Sequence, residues 1–133
     1  MLKSQINRLF RAFSPFNRRK YKRYSVENLV ECEGILSKDG VDVRLPLELQ
    51  NISFEGALIV TGEYKLLPSK VILVIFKLPS RSDAVVLRGV VKRTYRKTYE
   101  RRYYSAIQFS GNKKENLYSV VGFVSGGKFA GEK

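Results

Sequence analysis

The sequence of 133 residues contains no histidine, no tryptophan and a single cysteine. Without histidine, the chain lacks the commonest general base near neutral pH and a preferred metal ligand. A single cysteine excludes an intramolecular disulfide and a zinc site built from several cysteines. These absences argue against an enzyme and favour a binding module, so we expect no catalytic residues, no bound metal and no cofactor.

The sequence also lacks long apolar runs. No segment approaches the roughly 20 apolar residues that a membrane-spanning helix needs. Near the N-terminus, Arg8 and Arg11 interrupt the apolar residues and no small-residue cleavage site follows, so the segment is not typical of a secretory signal. Together with the lone thiol of Cys32, this pattern predicts a cytoplasmic protein.

What the chain has in excess is positive charge. It carries 25 Lys and Arg against 12 Asp and Glu, a formal net charge of +13. Such an excess indicates an anionic partner, whether a nucleotide, a nucleic acid or an acidic membrane. The length is that of one domain, and 44% hydrophobic residues supply enough apolar material for a core.

The N-terminal residues form a distinct basic segment. Residues 1–23 contain no acid and eight bases: Lys3, Arg8, Arg11, Arg18, Arg19, Lys20, Lys22 and Arg23. Near-helical spacing would place one set of apolar residues on a common face: Leu2, Ile6, Leu9, Phe10, Phe13 and Phe16. We therefore predict an amphipathic extension over residues 1–17. It either packs on the domain or a dimer partner, or rests on an anionic membrane as a peripheral contact.

The middle of the chain has the pattern of short strands. Apolar and polar residues alternate between turn signals, which predicts six strands: Leu29–Leu36, Val41–Leu49, Gly56–Val60, Val71–Leu78, Ala84–Tyr95 and Arg102–Phe109. The apolar run Val71–Phe76 is typical of a strand covered on both faces. Six such strands indicate an all-β chain folded as a small antiparallel barrel.

The last element is predicted to be helical. Asn112 can cap it, with Glu115 three residues later as in a capping box. The apolar positions that would share one face are Leu117, Val120, Val121 and Val124. Gly126 and Gly127 would end the helix, so we expect the folded domain over residues 18–125 and a flexible tail over 126–133.

Two short motifs flank the start of this barrel. Arg19 and Arg23 form R-x-x-x-R in the basic arm, and residues 51–56 contain N-x-S-x-x-G with Asn51, Ser53 and Gly56. A guanidinium is a planar fork of donors that fits the O6/N7 edge of guanine and also pairs with phosphate. The turn would offer polar groups opposite the arm, with Gly56 permitting a positive φ and a close ligand approach. The pair predicts an arm that closes over an anionic guanine nucleotide.

In this order and at this separation, the two motifs resemble those of PilZ domains, receptors for the bacterial second messenger cyclic di-GMP. The resemblance covers roughly residues 18–123 and includes the late strand Tyr103–Phe109, although Ala106 stands where the family often has Gly. It implies a six-stranded antiparallel β-barrel with a flanking C-terminal helix. This agrees with the strand count obtained from the alternation of residues alone.

The resemblance also implies residue roles. Arg19 and Arg23 would hold the guanine base and phosphate of cyclic di-GMP, Asn51 and Ser53 would contact the ligand from the barrel, and Gly56 would shape the turn. An arginine directly before the motif, here Arg18, tends in the family to accompany an intercalated ligand dimer, which implies two ligands per chain. The implied function is a receptor that converts ligand binding into a conformational or interaction change with an unknown downstream protein.

A second basic cluster leaves an alternative open. Seven bases between Arg88 and Arg102 are interleaved with Tyr95, Tyr99, Tyr103 and Tyr104. Exposed aromatics among bases can form a platform for single-stranded nucleic acid, so a small-barrel RNA- or DNA-binding protein is the alternative function. The same pattern also fits a twisted hairpin whose tyrosines pair across strands, or one that contributes to a ligand pocket or an effector surface.

Overall fold

The fold was analysed in a computed structural model that describes residues 22–26, 30–79 and 81–126. These residues form strands β1 (Tyr24–Ser25), β2 (Glu31–Lys38), β3 (Val41–Ile52), β4 (Gly56–Val60), β5 (Val71–Lys77), β6 (Val85–Arg96) and β7 (Tyr103–Phe109), and helix α1 (Lys114–Ser125). The extension over residues 1–17, Arg18, Arg19 and the tail beyond Gly126 lie outside the described residues.

Six of the strands close into an antiparallel barrel. Hydrogen bonding runs in the order β3-β2-β5-β6-β7-β4, and a further pairing of β4 with β3 completes the ring. The predicted all-β fold, a six-stranded antiparallel barrel with a C-terminal helix, is confirmed. The two-residue β1 was not predicted; it pairs with the end of β3, where Tyr24 lies opposite Ile52.

The core is built from the inward-facing residues of the alternating strands. Leu45, Leu47 and Leu49 of β3 are buried, as the alternation predicts. In β5 every second residue is buried, but Val71 is 44% and Leu73 is 37% exposed. The prediction that this strand is covered on both faces is therefore not met within the described residues. The outward apolar side chains of β5 remain open to solvent there.

Helix α1 packs against β1 and β6. Its predicted apolar face is confirmed, since Val120 and Val121 are fully buried and Leu117 and Val124 pack on the core. Its end is also as predicted, because Gly126 takes the left-handed conformation at φ 67° that favours glycine.

The predicted cap of α1 was wrong. The residue at the cap is Lys113, which makes no side-chain capping bond. The side chain of Asn112 instead accepts from Arg88 N at 2.7 Å and donates to Arg88 O at 2.8 Å. An amide can satisfy a donor and an acceptor at once. The Asn112 side chain therefore forms the pair of hydrogen bonds with β6 that a neighbouring strand would otherwise form.

Cys32 lies in the core as a buried free thiol. Burial raises its pKa to about 12, and its Sγ donates to Leu47 O at 3.4 Å. A thiol with so high a pKa is almost never deprotonated at neutral pH, so Cys32 is a packing residue rather than a nucleophile. Among the described residues, no helix has both the length and the apolar character to cross a membrane.

The barrel core predicts a stability contrast between two leucines. Leu87 is fully buried, whereas Leu67 is 55% exposed. Because truncation in a packed core loses both transfer energy and packing, Leu87→Ala should lower the free energy of unfolding by about 2–5 kcal/mol. Leu67→Ala, the matched control, should cost under about 1 kcal/mol. Urea denaturation followed by circular dichroism measures both, and equal losses would contradict this description of the core.

Candidate functional site

A β-bulge in β3 sets the direction of the first motif residue on the barrel. Leu49 pairs with Ile59 of β4, but the next pair is Asn51 with Leu58, so Gln50 is an extra residue. Side chains alternate between faces, so one inserted residue exchanges the two faces of the strand beyond it. As a result Ile52 points into the core with no exposed surface, and Asn51 is only half-buried.

The bulge brings Asn51 to the basic arm. Arg23 Nη1 donates a hydrogen bond of 2.9 Å to Asn51 Oδ1. Arg23 directly precedes β1, whose Ser25 pairs with Asn51 across the sheet. The two motifs, 28 residues apart in sequence, are therefore in direct contact. The predicted partners Arg18 and Arg19 lie in the part of the chain that is not described.

Ser53 shapes the turn that follows β3. It is 1% exposed, and its Oγ accepts hydrogen bonds from Glu55 N at 3.1 Å and Gly56 N at 3.3 Å. Its own backbone N donates to Gly56 O at 2.8 Å. A buried hydroxyl bonded to the next backbone groups holds a turn in place. In this structure Ser53 therefore stabilises the turn.

Gly56 is required for a different reason from the one expected. Gly56 is absent from the glycines with positive φ, so the predicted left-handed conformation is wrong. A Cβ at this position would lie 2.0 Å from Ile107 O of β7. The absence of a side chain lets β4 pass this close to β7, so the glycine is needed for strand packing rather than for turn conformation.

A second bulge adds two bases to the same region. In β6, Val91 pairs with Ile107 and the next pair is Arg93 with Ala106, so Lys92 is the extra residue. Lys92 and Arg93 are consequently both exposed. They line an open cavity of about 320 Å³ together with Arg23, Glu55, Gly56 and residues 106–108.

The cavity is electropositive. Three bases, Arg23, Lys92 and Arg93, face it against the single acid Glu55. Such a wall attracts phosphate and presents guanidinium groups that bind it in a bidentate way. The described residues contain no group of three or more side chains able to hold a metal ion. The arrangement is suited to binding an anionic ligand at the surface of the barrel.

Lys92 and Arg93 belong to the second basic cluster, for which the sequence left a contribution to a ligand pocket open, but neither was named among the site residues. The available signal was the break in alternation, since Leu87, Gly89 and Val91 face inward and two consecutive bases follow. A break of phase within a strand indicates a bulge. The break in alternation could not show that these bases lie near Arg23, because their distance from Arg23 depends on how the strands close into a barrel.

The tyrosine-rich hairpin between β6 and β7 pairs across strands, as one reading of the sequence predicted. Tyr95 stacks on Tyr104 with ring centroids 5.5 Å apart, and the two residues are register partners. Lys97 Nζ covers the Tyr104 ring at 4.4 Å, and Arg96 lies over Tyr103 at 5.8 Å. These covered rings offer little free face on which bases could stack, whereas Tyr99 at the tip of the hairpin is fully exposed.

Comparisons with known proteins agree with this architecture. The family model described as PilZ domain matches residues 17–125. No curated protein gives a significant match. Among solved structures, the Bacillus subtilis inhibitor of motility (MotI/DgrA) is similar, with a TM-score of 0.61 at 14% identity. That match covers 88% of this chain and 54% of the other.

Two further structures were determined with a ligand. The K. pneumonia MrkH-c-di-GMP complex matches with a TM-score of 0.58 at 18% identity, covering 78% of this chain and 48% of that one. The PilZ domain with c-di-GMP of YcgR from Escherichia coli matches with a TM-score of 0.61 at 12% identity, covering 87% and 95%. The chain spans about half the length of MotI/DgrA and MrkH, and these likenesses show the fold alone.

The role of Ser53 in the turn can be tested by its removal. Ser53→Ala removes the acceptor of the buried Gly56 N–H and of the partly buried Glu55 N–H, which should lower the free energy of unfolding by about 1–3 kcal/mol. Ser37 is exposed on β2, so Ser37→Ala, the same change at a surface site, should shift it by less than about 0.5 kcal/mol. Thermal and urea unfolding compare the two variants. Equal stability of both would contradict the role assigned to Ser53.

Proposed function

This chain belongs to the PilZ domain family, and on that premise we propose that it is a receptor for cyclic di-GMP. The ligand is anionic, with two phosphodiesters and two guanine bases. An electropositive cavity lined by arginine and lysine suits the phosphates. The O6/N7 edge of each guanine suits a guanidinium. Nothing in this chemistry requires catalysis, a metal or a cofactor, so the proposed role is non-enzymatic.

The observation that carries the proposal is the hydrogen bond between Arg23 and Asn51. It joins the R-x-x-x-R arm to the N-x-S-x-x-G turn at the edge of the cavity that Gly56, Lys92 and Arg93 also line. A ligand held between an arm and a barrel needs both motifs at one positively charged surface, and the two motifs meet there. A motif pair arising by chance in a basic chain has no reason to meet.

The roles we propose for the described residues rest on this geometry, and those proposed for Arg18 and Arg19 rest on the motif alone. Arg19 and Arg23 grip guanine and phosphate from the arm, and Asn51 orients Arg23 while its amide reaches the ligand. Lys92 and Arg93 neutralise phosphate from the barrel side. Ser53 and Gly56 act through the turn that they shape. Arg18 supplies a third guanidinium, and we infer two ligand molecules per chain.

We infer that helix α1 senses the site. The turn residue Phe54 meets Tyr118 of α1 edge-on, with ring centroids 5.2 Å apart. The strand that follows Arg23, β1, also packs on α1. A contact of residues 18–23 with the ligand would be transmitted to α1 and would change what residues 1–17 can contact. The output is a contact with a downstream protein, and the proposed setting is the cytoplasm.

Isothermal titration calorimetry tests the proposal. The protein should bind cyclic di-GMP saturably and not cyclic di-AMP, because adenine has an N6 donor where guanine has the O6 acceptor. Arg23→Ala should weaken binding by about tenfold to a hundredfold through loss of a charged contact. Arg81→Ala removes the same charge outside the cavity, where Arg81 bonds Ser119 of α1, and should bind like the parent.

Three outcomes are informative. A stoichiometry of two supports the role of Arg18, and a stoichiometry of one removes it. Absence of heat with cyclic di-GMP would overturn the receptor proposal. Binding of single-stranded RNA that grows with polymer length and falls steeply with salt would then favour the nucleic-acid alternative.

A further inference from the structure

The hairpin that joins β6 to β7 ends in a turn with an unusual residue. Glu100 N donates to Lys97 O at 3.1 Å, which closes a turn over residues 97–100. Its third residue, Tyr99, has a φ of 74°, whereas the φ of Thr98 is not positive. This is the pattern of a type II turn, whose third position favours glycine or asparagine. A tyrosine there strains the backbone, because its Cβ crowds the following carbonyl in the left-handed conformation.

The Tyr99 side chain does nothing for the fold that would offset this strain. It is fully exposed and packs on no part of the described chain. The other tyrosines of the hairpin are covered, since Tyr95 stacks on Tyr104 and Arg96 lies over Tyr103. Strained residues persist where function requires them, so an aromatic residue that is both strained and without a contact in its own chain points to a contact outside it.

The surroundings of Tyr99 are positively charged. The two nearby acids, Glu48 and Glu100, are both bonded to Arg102. Three further bases are exposed and form no ion pair within the described residues: Arg96, Lys97 and Arg101. Together with Tyr99 these three bases line an open hollow of about 580 Å³ at the end of the hairpin. The hollow therefore suits a phosphate-bearing group beside an aromatic ring.

We propose that this hairpin tip, residues 96–101, docks on a membrane surface that carries anionic phospholipid. The Tyr99 ring enters the headgroup layer, where the apolar ring and the polar hydroxyl of a tyrosine are both accommodated. The three bases contact lipid phosphates, and each base near an anionic leaflet strengthens binding by about fivefold. The contact is peripheral and crosses no part of the bilayer.

The base of the hairpin holds the tip in place. Glu100 Oε1 accepts hydrogen bonds from Arg102 Nε at 3.0 Å and from the Tyr104 hydroxyl at 2.8 Å. Tyr104 in turn stacks on Tyr95 of the opposite strand, with ring centroids 5.5 Å apart. A tip that is already fixed loses little conformational freedom when it docks, so a small contact area is enough for a weak, reversible contact.

The arrangement of the rings favours a lipid surface over a nucleic acid. Single-stranded nucleic acid binds by stacking successive bases on several aromatic rings, and this hairpin leaves one ring free, that of Tyr99. A single ring on an exposed turn can enter a fluid headgroup layer, which needs no complementary pocket. None of residues 96–101 lines the cavity beside Arg23, so this proposal does not rest on the binding of cyclic di-GMP.

Co-sedimentation of the full chain with phosphatidylcholine vesicles, with and without phosphatidylglycerol, tests the proposal. The protein should sediment only with the anionic vesicles. Tyr99→Gly should weaken this binding about fivefold through loss of the ring, while its thermal unfolding midpoint stays the same or rises, because glycine suits a positive φ. A purely structural role of Tyr99 would lower the midpoint instead. Tyr99→Phe keeps the ring and should bind nearly like the parent.

A pair of charge variants completes the test. Arg101→Gln should weaken vesicle binding about fivefold. Arg81→Gln removes the same charge at an exposed site outside the tip, where Arg81 bonds Ser119, and should bind like the parent.

Four results would overturn the proposal. Equal losses in Arg101→Gln and Arg81→Gln would show an effect of net charge alone. Unchanged binding in Tyr99→Gly would assign the lipid contact to another part of the chain, such as the basic residues 1–17. Absence of vesicle binding would exclude a lipid contact. Loss of single-stranded RNA binding in Tyr99→Gly, without vesicle binding by the parent, would assign the tip to a nucleic acid instead.

Discussion

The hydrogen bond from Arg23 to Asn51 is the contact on which the site depends. It attaches the start of the described chain to the end of β3, and β1 then pairs beside it. A charged donor on an amide acceptor is among the stronger hydrogen bonds in proteins. It fixes where the basic arm enters the barrel, and so it fixes which side of the barrel the arm can close over.

Two β-bulges turn the polar side chains of this site toward the surface of the barrel. The extra residue Gln50 turns Asn51 outward while Ile52 fills the core. The extra residue Lys92 sets itself and Arg93 side by side on the surface. Without either bulge, strict alternation would place one of these polar side chains in the core. The two bulges therefore keep the side chains of Asn51 and Arg93 out of the core.

Periodic features of this chain were predictable from the sequence, and features that depend on closure were not. Alternation in Leu45, Leu47 and Leu49 predicts a strand with one buried face, and the structure agrees. Asn112 shows the limit, because a good capping residue was drawn to the backbone of Arg88 by a contact 24 residues away. The sequence identified the motif residues, but it did not show which of them shape the turn and which face the cavity. Ser53 and Gly56 have structural roles because of where Glu55 N and Ile107 O lie.

A double-mutant cycle on the affinity for cyclic di-GMP tests most directly whether the contact between Arg23 and Asn51 builds the site. Arg23→Ala, Asn51→Ala and the double variant are each titrated against the ligand, with folding verified for all three. Because Asn51 orients Arg23, the two losses should overlap, with a coupling free energy of about 1 kcal/mol or more. Strictly additive losses, or full affinity in either single variant, would contradict the claim that this contact builds the site.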